Sequence, residues 1–157
     1  MMKLFLLLIS LLMAFPAAAA PLEPLAAGDV PALLKPPAHG VRVIALWALY
    51  CAYCEANLRE LAALSASDPD VQAVTVSTDD IEQRDAIIKR LSSARAESIP
   101  ARAYADESPQ RLNYLIDPRW GGETPRTLVI RADGSRAAIS GTLTAARLKA
   151  LVNKETD

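Results

Sequence analysis

Read from the amino end, polar and apolar positions fall into blocks of distinct period. Lys3 precedes an apolar run, Leu4 to Phe15, broken only by Ser10, and small residues follow at Ala17 to Ala20. A positive start, a short apolar stretch and a small-residue end make residues 1–20 read as a secretory signal. About twelve apolar residues fall short of the roughly 20 that span a bilayer. Cleavage near Ala19 is therefore expected, with retention as a membrane anchor the lesser alternative.

Residues 21–40 carry Pro21, Pro24, Pro31, Pro36 and Pro37 and read as an extended lead-in. Within it, Asp29 to Leu34 has the capping aspartate and early proline of one helical turn. From Val41 the pattern changes. Val41 to Ala48 is a near-continuous apolar run, which suits a strand covered on both faces. Cys54, Leu58 and Leu61 then fall on one helical stripe within Cys51 to Leu64, and Asp68-Pro69 halts it. Val71 to Ser77 reads as a second strand. Asp79-Asp80-Ile81-Glu82 resembles a capping box, ahead of a helix placing Ile81, Ile88 and Leu91 on one face. A short strand at Arg102 to Ala105 and a helix from Ser108 to Leu115 come next. Thr127 to Arg131 and Arg136 to Ser140 form a hairpin around Asp133-Gly134. A last helix, capped by Thr142 or Thr144, carries Leu148, Leu151 and Val152. Strands alternating with helices and ending in a hairpin predict an α/β domain over residues 41–157, a mixed sheet flanked by helices.

Composition narrows the chemistry. The 157 residues hold 17 basic and 18 acidic side chains, a net charge of −1, without the clustered basic face of a nucleic-acid binder. One histidine, His39, and two cysteines exclude most zinc sites and any multi-bridge secreted scaffold. No metal and no cofactor are expected.

The chemistry concentrates in Trp47 to Cys54, WALYCAYC, where the first long strand gives way to a helix. Cys51, at the helix start, has the dipole and free N–H groups that favour a thiolate. Cys54, one turn deeper on the apolar stripe, is shielded. Cys51 is thus the nucleophile that attacks a substrate disulfide, and Cys54 resolves the mixed disulfide. A purely structural bridge enclosing so few residues would add little stability, and a zinc half-site lacks its second pair of ligands. Trp47 and Tyr50 flank the pair and Trp120 precedes Gly121-Gly122; each is a candidate for substrate contact as well as for packing.

WALYCAYC followed by a helix, the later Thr124-Pro125 and the hairpin TLVIRADGSRAAI together resemble the thioredoxin superfamily, nearest the exported TlpA/ResA-like thiol-disulfide oxidoreductases. The resemblance covers roughly Val41 to Val152 and includes an extra strand and helix, Ile99 to Ile116, before the proline loop. It implies that Pro125 is cis beside the cysteines and that Thr124 offers its backbone to a substrate strand. It also implies disulfide-containing protein substrates, re-reduction by a membrane electron donor, a periplasmic or exported location and a reductant's role, for example in cytochrome c maturation. A periplasmic dithiol oxidase and a non-catalytic binding module for extended segments are the alternatives.

Two positions depart from the pattern. Relatives carry a glutamate three residues after the second cysteine, here Asn57. Many carry a buried aspartate two residues before the tryptophan, here Ala45. Without either proton acceptor, Cys54 is expected to keep a high pKa and to resolve slowly.

Overall fold

The computed structural model describes residues 19–153 apart from residue 107. The secretory signal read at residues 1–20 therefore lies, up to residue 18, outside the described residues. Six strands form one mixed sheet in the order β1-β4-β3-β2-β5-β6. They are β1 (Leu22–Leu25), β2 (Val41–Trp47), β3 (Val71–Asp80), β4 (Ala101–Tyr104), β5 (Arg126–Arg131) and β6 (Arg136–Ser140). The helices are α1 (Val30–Leu33), α2 (Cys54–Ser67), α3 (Arg84–Ser93), α4 (Pro109–Ile116) and α5 (Ala145–Asn153).

β2 is central because its residues are apolar on both faces. Val43, Ala45 and Trp47 face the layer holding Leu58 and Leu61 of α2, Ile87 and Leu91 of α3 and Leu148 of α5. Ile44 and Leu46 face the opposite layer, with Val30 and Leu33 of α1, and Leu112 and Ile116 of α4. Period-2 alternation assigns each residue to one layer or the other. β2 runs parallel to β3 and antiparallel to β5, and β5 to β6 is the expected hairpin. At Gly40 the chain enters β2 with φ +65°, and a Cβ there would fall 2.1 Å from the Asp70 carbonyl oxygen, an approach only glycine permits.

The proline-rich lead-in differs from expectation: it belongs to the domain. β1 pairs in parallel with β4, and Leu25, Val30, Leu33 and Leu34 are buried. Prolines are tolerated there because β1 is an edge strand. Arg42, the single charged residue of β2, donates to the carbonyls of Ala32, Leu33 and Lys35 at 3.2, 3.1 and 2.8 Å, tying the end of α1 to the sheet. Asp29 precedes α1 but does not cap it; its carboxylate instead accepts the Ala26 N–H at 2.9 Å.

Two further details depart from the pattern reading. The side chain at the start of the third helical segment is Asp80, which accepts the Glu82 N–H at 2.8 Å, whereas Asp79 turns elsewhere. Residues Ile81–Gln83 form a 3-10 turn, and this tighter winding shifts the phase of the helix behind it. Ile87 and Leu91 are consequently the buried pair of α3, and Ile88 is exposed. The extra strand and helix before the proline loop are β4 and α4.

Candidate active site

β2 delivers the chain to the edge of the core and stops. After Ala48, wholly buried, residues 49–53 form a turn in which the Cys51 N–H donates to the Ala48 carbonyl at 3.1 Å. Cys51 and Cys54 are joined as a disulfide, with Cα atoms 5.5 Å apart. The helix begins at Cys54 and not at Cys51. Cys51 occupies the turn just ahead, and its carbonyl accepts the Cys54 N–H at 3.4 Å. Cys54 is fully buried and Cys51 only 6% exposed, whereas Tyr50 and Tyr53 stand 78% and 67% exposed on either side of Cys51. Cys51 thus lies in a turn with two exposed tyrosines close to it in the chain, while Cys54 is wholly covered.

The turn is gripped at Leu49. Its N–H donates to Asp79 Oδ2 at 2.8 Å, and its carbonyl accepts from Arg90 of α3 at 3.1 Å. The Ser77 hydroxyl donates to the same Asp79 oxygen at 2.7 Å. This arrangement is made where β3 loses its register with β4, between Ser77 and Asp80. That irregularity turns Asp79 out of the ladder, as bulges commonly re-aim side chains near sites.

On the other flank, β5 pairs with β2 as far as Arg126 opposite Leu46. The residue before Arg126 is Pro125, buried, and the Thr124–Pro125 peptide bond is cis. The register therefore brings the proline loop to the end of β2 from which the cysteine turn departs. Proline withholds an N–H there, and its carbonyl accepts the Gly141 N–H at 2.8 Å. Thr124 is half-buried.

Arg126 is nearly buried and committed within the protein. It pairs with Asp117 at 2.5 Å and with Glu123 at 3.3 Å, and donates to the Ser140 hydroxyl at 2.8 Å. Burial pushes the Asp117 carboxyl up. The hydrogen bond and charge of Arg126, with the Arg119 N–H, outweigh it and hold the group below its ordinary value. The hydroxyl of Ser140 likewise holds Glu123 low. Arg126 is thus a loop anchor and leaves no free charge for an acidic substrate.

Two of the aromatic candidates are corrected by burial. Trp47 is 1% exposed within the core facing α2 and cannot meet a substrate at the surface. Its place on the inward side of β2 explains this, since alternate residues of a central strand are equally covered. Trp120 is 5% exposed, and its indole N–H donates to the Glu123 carbonyl at 2.7 Å, so it braces the loop from within. Tyr50 alone of the aromatic candidates reaches solvent.

Beneath α2, Ala45 is flanked in register by Thr75 on β3 and Thr127 on β5, all three buried. That row holds no carboxylate. Asn57, one turn after Cys54 and 5% exposed, uses both ends of its amide: Nδ2 donates to the Gly141 carbonyl at 3.0 Å, and Oδ1 accepts the Leu143 N–H at 2.9 Å. Glu55 is partly exposed and paired with Arg59 at 2.8 Å. Among the described residues no three His, Cys, Asp or Glu side chains cluster as a metal site would require. Sequence reasoning missed the roles of Asp79, Arg90 and Gly141. Asp79 fits a capping box in the sequence, and nothing in the local pattern singles out Arg90 or Gly141.

No family model matches the sequence, and no curated protein is significantly similar to it. Solved structures, however, share its architecture. A secreted disulfide oxidoreductase of Mycobacterium tuberculosis, described as homologous to DsbE of E. coli, superposes with a TM-score of 0.56 at 19% identity, over 72% of this chain and 80% of that one. A thioredoxin-related protein from Neisseria meningitidis serogroup B gives 0.57 at 23% identity, over 73% and 83%. StoA from Bacillus subtilis gives 0.52 at 17% identity, over 73% and 83%. The architecture these proteins have in common is the thioredoxin fold, and this chain has it.

Proposed function

We propose that the protein is an exported thiol-disulfide oxidoreductase that reduces protein disulfides. The observation that carries this reading is the Cys51–Cys54 disulfide at the junction of β2 and α2, flanked by the loop of the cis Thr124–Pro125 bond. A static staple joining residues three apart would close too small a loop to be worth much stability. A redox pair, in contrast, needs this asymmetry of one cysteine in the turn and one wholly covered.

In the reduced chain, the Cys51 thiolate attacks one sulfur of a substrate disulfide. A Cys51–substrate disulfide forms and a substrate thiolate leaves. The Cys54 thiolate then attacks the Cys51 sulfur, closing the internal disulfide and releasing the second substrate thiolate. Two electrons pass to the substrate. With Asn57 engaged by backbone and Ala45 apolar, the Cys54 proton goes to water or to the departing substrate thiolate. The substrate lies extended along the loop ahead of β5, where the Thr124 backbone pairs with it as an added strand, and Tyr50 and Tyr53 supply apolar contact at the rim. The disulfide left behind is the oxidised state of the Cys51–Cys54 pair, and a membrane dithiol donor returns it to the dithiol.

Export is supported by the leader-like composition of residues 1–20 and by the secreted neighbour from M. tuberculosis. Within the exported compartment the reading is that of a dedicated reductant, in the class that prepares cysteines for cytochrome c maturation. Insulin reduction tests the activity: wild type is active, and Cys51→Ser and Cys54→Ser are not. Activity indifferent to Cys51 would favour a binding module, and a strongly oxidising equilibrium with glutathione would favour a dithiol oxidase.

A further inference from the structure

We propose that Asn57 is a positioning residue that ties the proline loop to the cysteine-bearing helix, so that a docked polypeptide disulfide meets Cys51 in register. The inference rests on the oxidoreductase reading and goes beyond it.

Three hydrogen bonds make the connection. From α2, one turn past Cys54, Asn57 reaches the β6–α5 loop through both ends of its amide, at Gly141 and Leu143. The same Gly141 donates its N–H to the Pro125 carbonyl at 2.8 Å. One side chain and one glycine therefore span the two halves of the site, one half bearing the sulfurs and the other the strand-pairing loop. Asn57 is 5% exposed, so its bonds are made where an unmade one is costly. An amide suits the position because it carries a donor and an acceptor at one centre without charge. A carboxylate there would still accept from Leu143 but would face the Gly141 carbonyl oxygen with no proton to give. Gly141 holds φ +94°, a conformation that side-chain-bearing residues rarely adopt, so the loop's course through this point is built in. The hydroxyl of Ser140, the last residue of β6, is bonded to Arg126 and Glu123 and fastens the strand end ahead of that loop to the proline side as well. Where the resemblance leads one to expect a proton-accepting glutamate, this chain has a neutral amide bonded to backbone at both ends.

The consequence is selective. A polypeptide disulfide must pair with the Thr124 backbone, whereas a small disulfide without peptide groups needs only to reach the Cys51 sulfur. Loosening the strut should harm the first reaction and spare the second. The test is the second-order rate constant with which the reduced exported chain reduces insulin and, separately, hydroxyethyl disulfide. For Asn57→Ala, a fall of at least 10-fold is expected on insulin and less than 2-fold on hydroxyethyl disulfide. Gly141→Ala, whose added Cβ meets nothing within 4 Å, leaves α2 untouched and should give the same pattern through backbone strain alone. It carries the test if Asn57→Ala does not fold. Because both variants loosen one strut, the double variant should be no more than about 2-fold worse than the poorer single one, whereas independent effects multiply. Equal losses on the two disulfides, no loss on insulin, or multiplying losses would each overturn the inference. A wild-type chain that reduces neither disulfide through Cys51 would instead sink the oxidoreductase reading itself.

Discussion

The carboxylate of Asp79, at the irregular end of β3, accepts the backbone N–H of Leu49 at 2.8 Å, two residues before Cys51. The turn that presents Cys51 is thus fastened from outside the turn, and Arg90 fastens the carbonyl of the same residue. Hydrogen bonds to a charged partner contribute about 1.5–3 kcal/mol. Asp79→Ala should lower stability by about 2 kcal/mol in urea unfolding and broaden the amide signals of residues 49–51. Arg90→Met should do the same at about half the cost. Unchanged stability in Asp79→Ala would show that the bond is not maintained in solution.

Trp47 and Tyr50 separate packing from recognition. Burying a large aromatic in a filled core makes its truncation cost about 3–5 kcal/mol, so Trp47→Phe is the tolerable probe and Trp47→Ala should unfold the domain. Tyr50→Ala, at an exposed rim, should leave stability within about 0.5 kcal/mol. Its effect should be confined to the rate on protein disulfides. A Tyr50→Ala chain with a lowered melting temperature would mean that the ring packs on the protein.

The pH dependence of stability is set at the acid end by Asp117, with Glu123 and Asp133 also held low, and at the alkaline end by Tyr104. Asp117 is held below its ordinary pKa by Arg126, so its contribution is present above the unfolded value, near ~3.9, and is lost as pH falls through the folded one. Burial raises the Tyr104 hydroxyl, which donates to Asn113 Oδ1 at 2.7 Å, so that contribution is present below ~10 and lost as pH rises beyond it. Melting temperature should be flat across neutrality and fall at both ends. Asp117→Asn should shrink the acid limb and cost about 2 kcal/mol at pH 7, because Arg126 loses its nearer, buried counter-charge and keeps only the more exposed Glu123 at 3.3 Å. An acid limb unchanged by Asp117→Asn would contradict the pairing.

Much of this molecule is legible in the sequence because it obeys local rules. β2 announces itself by unbroken apolarity, α2 by the Cys54, Leu58, Leu61 stripe, and the β5–β6 hairpin by Asp133-Gly134. Features that depend on distant partners escape. The lead-in looks like a linker because prolines dominate it, yet Leu22 and Leu25 find β4 some eighty residues away. Asp79 satisfies the pattern of a cap, but a strand irregularity that no periodicity encodes hands that role to Asp80. The burial of Trp47 and Trp120 is equally hidden, since an aromatic beside a cysteine pair packs or projects according to strand phase and loop closure.

Resolution of the mixed disulfide should show the missing proton acceptor. Among the described residues, the row under α2 is Ala45, Thr75 and Thr127 and the position after Cys54 is an amide bound to backbone, so neither place offers Cys54 a carboxylate. The rate at which Cys54 displaces a model thiol from Cys51 should keep rising with pH toward the range of an unassisted thiol, ~8.5. A plateau reached below about pH 7 would reveal an acceptor that the structure does not display.

On the proposed function, Cys51 and Cys54 are a reversible dithiol–disulfide couple poised to donate electrons. Equilibrating the chain across dithiothreitol and glutathione redox buffers, and counting free thiols by mass after alkylation, measures it directly. A single two-electron transition is expected, with a midpoint below about −200 mV, on the reducing side of protein disulfide isomerase at ~−180 mV. A bond that stays closed in every buffer, or a midpoint near the ~−120 mV of a strong dithiol oxidant, would contradict it.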